Sequence, residues 1–277
     1  MINRRTPQGP HAGQAPGRAP ADQASGLRRL FGPVRRHLLP VAANPFVPDS
    51  QALLETLSAC LVMQGRRVLM VDAASSAPRP HESAFFDLAA GVESLHAQVS
   101  YLAARGVPLA YVDTHGSASV FVDAAFDAAP QSDVMLLHAD PTDLARMLGR
   151  RAVRPLLLGA DRPESIKQAY ASCKLLVQRC GLMTFDLLLA ARPDNRRSGV
   201  IVERLASCAD NFLGAVMQGW AVVDPRLDAQ AARDPALQAL VGAQLALDEE
   251  PHTLPASRSG SIPMARQGAM PNPFHGS

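Results

Sequence analysis

The chain has 277 residues, 47% of them hydrophobic, and a formal net charge of +2. That length and apolar content suffice for one sizeable α/β core with flexible ends, and no apolar run reaches the roughly 18–20 residues that a membrane-spanning helix needs. Cys60, Cys173, Cys180 and Cys208 show no metal-ligand spacing and read as small buried hydrophobes of a reducing cytoplasm, which sets aside a disulfide framework.

Charge is unevenly placed. Residues 1–36 carry seven Arg against one Asp, so this arm is near +6 and the remainder near −4. A basic arm suits an acidic protein surface, anionic lipid or nucleic acid. Pro, Gly, Ala, Gln and Arg dominate residues 1–20, a composition that cannot offset its ordering entropy by burial. Within the arm, Asp22 supplies an N-cap and Ala24, Leu27 and Leu30 recur every three residues until Pro33. The spacing predicts a short amphipathic helix over about 22–31, a tethered element built to bind something else.

From residue 37 onward strands and helices alternate. Leu38–Ala43 reads as a first short strand, and Asp49 or Ser50 caps a helix through Leu53, Leu54, Leu57 and Leu61. Gly65 ends it, and Arg67–Asp72 is a buried strand ending in a carboxylate. Residues 83–105 read as helix in two pieces around Gly91. Pro108–Asp113 reads as a third strand, with a helix from Ser117; Asp133–His138 and Arg154–Gly159 are the fourth and fifth strands. Pro163 opens a helix to about Arg179, Thr184–Ala190 is a sixth strand, a helix covers about 198–213, and Ala215–Val223 is a last strand. A final helix over about 226–247 puts Leu237, Leu240, Val241 and Leu245 on one side. Its few basic residues after Arg233, and Asp248-Glu249-Glu250, favour a packed core helix over a membrane-binding one. Nearly continuous apolar strands with short links predict a doubly wound, mostly parallel sheet covered by helices on both faces. The predicted organisation is a disordered basic arm (1–36), an α/β domain (37–247) and a disordered tail (248–277).

The segment Asp22-Gln23-Ala24-Ser25-Gly26-Leu27-Arg28-Arg29-Leu30 resembles the N-terminal activator motif of the FlhG family (also FleN or YlxH), the MinD-like ATPases that control flagellar number and placement. The domain agrees with it. Arg67–Ala73 is similar to the family's second strand, residues 163–176 to its Pro-Thr-Ser-Leu-Thr-Asp-Ala-Tyr-Ala-x-x-Lys helix, and Asp224-Pro225 to the Asp-Pro after the last strand. The resemblance covers roughly residues 21–247. It implies a P-loop NTPase fold of the MinD/ParA type and a partner, an FlhF-type GTPase of the signal-recognition-particle class. It further implies that Gln23 helps order the water attacking that partner's GTP, as a carboxamide able to donate and accept suits. Asp22, Ala24, Leu27 and Leu30 would serve docking, with Arg28 and Arg29 giving electrostatic attachment.

One part of the family pattern is missing. A P-loop needs glycines whose backbone N–H groups converge on phosphate oxygens, a lysine, and a hydroxyl for magnesium. Where relatives carry Lys-Gly-Gly-x-Gly-Lys-Thr, this chain has Asn44-Pro45-Phe46-Val47-Pro48-Asp49-Ser50, without glycine or lysine. Pro45 and Pro48 each remove a donor, and Asp49 adds negative charge. The only lysines are Lys167 and Lys174, on a later helix. Asp72 matches the first carboxylate of the second-strand signature, but Ala74 stands at the second. His138 ends the strand where a magnesium-organising Asp is expected, with Asp140 two residues on, and Ala190-Ala191 replaces the adenine-reading Asn. Asn44, Asp49, Ser50, Asp72, His138 and Asp140 therefore form the candidate vestigial nucleotide site. Asp72 reads equally as a ligand relic or a strand-end carboxylate, and His138 as a relic or a histidine satisfied by hydrogen bonds. Asp113-Thr114-His115-Gly116 with Ser117 or Ser119 lacks a nucleophile elbow and does not read as a hydrolase.

The resemblance, taken with the missing P-loop, implies a regulator of flagellar biosynthesis, expected to have no catalytic residues, no metal and no cofactor of its own. ATP with magnesium belongs only to the alternative reading, an active MinD-like ATPase with an unusual loop that cycles on the membrane. A third reading is a structural adaptor. Expected partners are the FlhF-type GTPase, basal-body components and the membrane periphery, and no nucleic acid. The expected location is cytoplasmic, at the membrane or the flagellated pole; dimerisation is left open.

Overall fold

The computed structural model describes residues 36–248. The arm, with Asp22, Gln23, Ala24, Leu27, Arg28 and Leu30, and the tail from residue 249 lie outside the described residues. An eight-stranded sheet runs in the order β3 (Val92–His96), β4 (Val99–Ala103), β2 (Val68–Asp72), β5 (Val134–Ala139), β1 (His37–Ala42), β6 (Leu156–Ala160), β7 (Thr184–Ala190), β8 (Val216–Val223) and is parallel but for β3, as the nearly continuous apolar strands predict. Among the described residues the chain divides into two compact units, 36–41 with 61–149, and 42–60 with 150–248.

The first unit carries β1 (His37–Ala42), β2 (Val68–Asp72), β3 (Val92–His96), β4 (Val99–Ala103) and β5 (Val134–Ala139). Its helices are α2 (Ser119–Ala128) and α3 (Pro141–Leu148). β2 is parallel to β4 on one side and to β5 on the other, pairing Asp72 with Ala103 and with His138. Every residue of β1, β2 and β5 is buried, because both sheet faces are covered.

Residues 83–105 depart from the predicted helices. They form two short 3-10 turns, Glu82–Phe85 and Ala89–Gly91, and the β3–β4 hairpin. Leu88, Val92, Leu95, Val99 and Leu102 recur at helical spacing, yet Val99 and Leu102 are buried while Leu95 is 52% exposed. Pairing of β4 along β2 outweighs the local periodicity. The turn also requires a glycine: a Cβ on Gly91 would stand 2.7 Å from that of Ala84. Pro108–Asp113 is likewise not a strand but a 3-10 turn, Val107–Tyr111, entered through Gly106 at φ 78°. Pro108 has no N–H for a ladder, and Leu109 and Val112 face solvent. The helix α3 falls in a stretch left unassigned by periodicity.

The second unit carries β6 (Leu156–Ala160), β7 (Thr184–Ala190) and β8 (Val216–Val223). Its helices are α1 (Ser50–Met63, whose last turn belongs to the first unit), α4 (Pro163–Cys180), α5 (Arg197–Leu213) and α6 (Pro235–Leu245). β6, β7 and β8 are parallel, with Ala160, Ala190 and Val223 aligned at their ends. The predicted 226–247 helix is a 3-10 segment, Asp228–Arg233, followed by α6. The break is chemical: Asp234 accepts from the N–H groups of Ala236 and Leu237, and Pro235 occupies the first turn. Leu237, Leu240, Val241 and Leu245 are buried, so α6 is a core helix.

A buried polar cluster fastens α6 to this unit. Asp186, inside β7 and fully buried, lies 2.9 Å from Arg154 Nε and accepts from Gln244 Nε2 at 2.7 Å. Gln244 also donates to the carbonyl of Arg154. Burial pushes the Asp186 carboxyl up, against the pull of Arg154. The strand register slips between Phe185 and Asp186 to bring Gly219 opposite the carboxylate. A Cβ there would meet Leu240 at 2.8 Å and Asp186 Oδ1 at 3.1 Å.

Candidate functional site

Of the six candidate nucleotide-site residues, Asn44, Asp49 and Ser50 belong to the second unit and Asp72, His138 and Asp140 to the first. The segment after β1 is closed upon itself. Asn44 is buried, and its side-chain amide donates to the carbonyls of Leu158 at 2.8 Å and Ser165 at 2.9 Å, and to Ser165 Oγ at 3.1 Å. Its Oδ1 accepts from the Phe46 N–H, forming an Asx turn over Pro45. Val47 donates its N–H to the Asn44 carbonyl and buries its side chain. Ser165 Oγ completes the set by accepting from Ala160 N.

Asp49 follows at φ 53°, the only non-glycine residue with positive φ among the described residues. That conformation is costly for an L-residue, and Asp tolerates it better than most. Its carbonyl, not its carboxylate, contacts the helix, accepting from Leu53 N at 3.3 Å, which corrects the expected side-chain cap. Ser50 is the first residue of α1.

This segment does not fit a triphosphate. Pro45 and Pro48 have no N–H, those of Phe46 and Val47 are bonded to Asn44, and the segment contains no cation. The amide that would be free to meet a ligand is spent on Leu158 and Ser165. Lys167 and Lys174 lie along α4.

In the first unit, strand register alone brings Asp72 and His138 together. They are paired residues of adjacent parallel strands, and His138 Nδ1 lies 2.8 Å from Asp72 Oδ1, both groups buried. Asp72 Oδ1 also accepts from Ala74 N at 3.3 Å. His138 Nε2 has no hydrogen-bond partner among the described residues. Burial, aided by the charges of Asp72 and Glu93, pushes the Tyr101 phenol up to about 12. Asp140 precedes α3, where Pro141 takes the first turn. Its carboxylate turns away from the helix to accept from Ser75 N at 3.1 Å, tying down the loop after β2.

The remaining sequence candidates resolve as structural groups. Asp113 Oδ1 accepts from the N–H groups of His115 and Ser117, which hold its carboxyl below the ordinary range. This is a turn, not a triad. Among the described residues no group of three or more His, Cys, Asp or Glu side chains is placed to hold a metal ion, and no helix is long and apolar enough to cross a membrane. Cys60 and Cys173 are buried as expected, and burial pushes the Cys173 thiol up to about 11. Cys208 departs from that expectation and is exposed on α5.

No family model and no curated protein matches the chain. Solved structures do. Cobyrinic acid a,c-diamide synthase from Mycobacterium smegmatis aligns with a TM-score of 0.55 at 14% identity, covering 76% of this chain and 94% of that one. A plasmid partition protein from Borrelia burgdorferi bound to AMPPNP aligns at 0.54 and 10% identity, over 78% of this chain and 100% of that one. MinD from Aquifex aeolicus aligns at 0.50 and 14% identity, over 83% and 100%. The fold is that of the MinD and partition ATPases. Identities this low carry the fold alone.

Sequence reasoning placed the departure from the MinD-type pattern at residues 44–50 but did not find what fills it. Ser165 was visible only as part of the 163–176 segment. The signal for its partner was the Asn-Pro dipeptide, which favours a turn closed by the Asn side chain.

Proposed function

We propose that this chain is a MinD-fold regulator of flagellar biosynthesis that works without its own nucleotide switch, acting on an FlhF-type GTPase through its N-terminal arm. The silent switch is supported by the Asn44 amide bonded into Leu158 and Ser165, and the partner by the resemblance of residues 22–30 to the FlhG activator motif. A switch that cannot be charged leaves the scaffold and its arm as the working parts. In this reading Gln23 assists GTP hydrolysis in the partner, Asp22 and Ala24 start the docking helix, Leu27 and Leu30 supply its apolar contacts, and Arg28 and Arg29 attach it electrostatically. The regulator acts on flagellar number or placement, in contact with basal-body components or the membrane periphery at the pole.

The test is GTP hydrolysis by the partner with the full chain, with a peptide of residues 20–36, and with the Gln23→Ala peptide. Stimulation by the first two and not by the third supports the proposal. Equal stimulation by the Gln23→Ala peptide, or none by any, rejects it. Calorimetric titration with ATP and magnesium tests the nucleotide half separately. Micromolar binding would restore the reading of an active ATPase that cycles on the membrane.

A further inference from the structure

We propose that β8, the outer strand of the second unit, pairs antiparallel with β8 of a second copy of this chain about a two-fold axis at Trp220. This goes beyond the arm and its GTPase and needs no nucleotide. Among the described residues β8 is bonded to a strand on one side only, to β7, and it ends the strand order. Ala191 N donates to the Val223 carbonyl, so the backbone of Val223 is turned toward the β7 side. Backbone groups alternate sides along a strand, which turns the N–H and C=O of Val222 and Trp220 away from β7. The register slip lies near the strand's start, where Met217 pairs with Phe185 and Gly219 with Asp186.

An open edge is a template for another strand, and natural edges are blunted by charge, shortness or bulges. The opposite edge strand shows these devices: β3 has five residues, carries Glu93 and His96, and is irregular between Ser94 and His96. β8 is eight residues long, Val216-Met217-Gln218-Gly219-Trp220-Ala221-Val222-Val223, with no charge and no proline. Val216 and Trp220, the only tryptophan of the chain, are 48% and 45% exposed.

The composition of the strand selects its occupant. A two-fold contact sets the same patch against itself, so a charge at the axis would face its own copy and repel it. β8 carries none. With the axis at Trp220, Met217 to Val223 overlap, Trp220 lies opposite Trp220 of the second copy, and Gln218 lies opposite Val222. The outward N–H and C=O groups of Trp220 and Val222 then gain partners. Opposed residues share a face, so the two indole rings meet as an aromatic cross-strand pair. The chain's own carboxyl-terminal segment is a poor alternative. Residues 249–277 contain Pro251, Pro255, Pro263, Pro271 and Pro273, and each of the two longest stretches between them, 256–262 and 264–270, holds a glycine. Proline lacks the ladder's donor and glycine weakens a strand.

The experiment is sedimentation equilibrium of the full chain without nucleotide over about 1–200 μM, a range suited to a small interface, with tryptophan emission read on the same samples. A monomer–dimer equilibrium is expected, with emission moving to shorter wavelength as the dimer forms, because Trp220 is the sole reporter. Trp220→Lys sets like charges face to face and is expected to weaken the dimer about tenfold or more. Leu95→Lys, at an exposed position of β3, is expected to leave it unchanged. Amide hydrogen exchange of the unmutated chain keeps the test open if Trp220→Lys does not fold: the Trp220 and Val222 amides are expected to exchange freely in the monomer and slowly in the dimer. A monomer at every concentration, a dimer that folded Trp220→Lys leaves intact, or one that Leu95→Lys dissolves would overturn the proposal. So would protection of the Trp220 and Val222 amides already present in the monomer, as a segment of the same chain lying along β8 would give.

Discussion

Replacing Asn44 by alanine removes the hydrogen bonds that close the loop after β1. The amide donates to two buried carbonyls and one hydroxyl at 2.8, 2.9 and 3.1 Å, and Asn44 itself is only 4% exposed. Ser165 Oγ keeps its bond from Ala160 N, so its loss is small, and the Phe46 N–H is partly accessible to water. The Leu158 and Ser165 carbonyls each lose a donor in a dry site, at about 1–2 kcal/mol apiece, for a total near 2–4 kcal/mol. With a urea slope of about 1–3 kcal/mol per molar, the unfolding midpoint should fall by roughly 1–2 M. Asn44→Asp should cost more, because a carboxylate would face two carbonyl oxygens. Paired with Ser165→Ala, a double-mutant cycle should show coupling between the two sites. A midpoint shift of Asn44→Ala below about 0.3 M would refute the claim that this amide holds the loop shut.

Other perturbations read the framework around it. Arg154→Met should destabilise by about 3–5 kcal/mol, because it strands the buried Asp186 carboxylate, whereas Arg154→Met/Asp186→Leu should recover much of that loss; chemical unfolding of the three proteins checks the order. Gly219→Ala should cost about 1–3 kcal/mol by overpacking against Leu240 and Asp186, seen as a lowered melting temperature. The pH dependence has a defined sign at Asp133. Burial works against its ionisation, but the side-chain and backbone bonds of Arg67 prevail and hold its carboxyl below the ordinary 3.8. Its stabilising contribution is therefore present above that value and lost as pH falls through the lowered one, and Arg67→Met should flatten this part of the acid stability profile.

The parts of the fold readable from the chain are those whose determinants are local. Thr184–Ala190, apolar from Leu187 onward and following a glycine-bounded helix, is β7. Pro163 opens α4 because a proline suits a first helical turn, and Gly181, in the left-handed region, closes it. The lack of glycine and lysine and the two prolines of residues 44–50 are legible because they are properties of those residues themselves. Its replacement was not, because Asn44 and Ser165 lie 121 positions apart and nothing in either segment names the other. His138 and Asp72 likewise became partners only through the register of β2 on β5.

The amino-acid order alone determined the alternation of buried strands and helices, the uneven placement of charge and the lack of glycine and lysine after β1. Each follows from side-chain polarity and backbone donors counted along the chain. Tertiary structure alone decided that residues 92–103 pair as a hairpin despite helical spacing, that the Asn44 amide turns inward, and that Arg154, Asp186 and Gln244 meet. Those outcomes depend on which distant groups are left needing a partner once water is excluded, a condition that exists only in the assembled core.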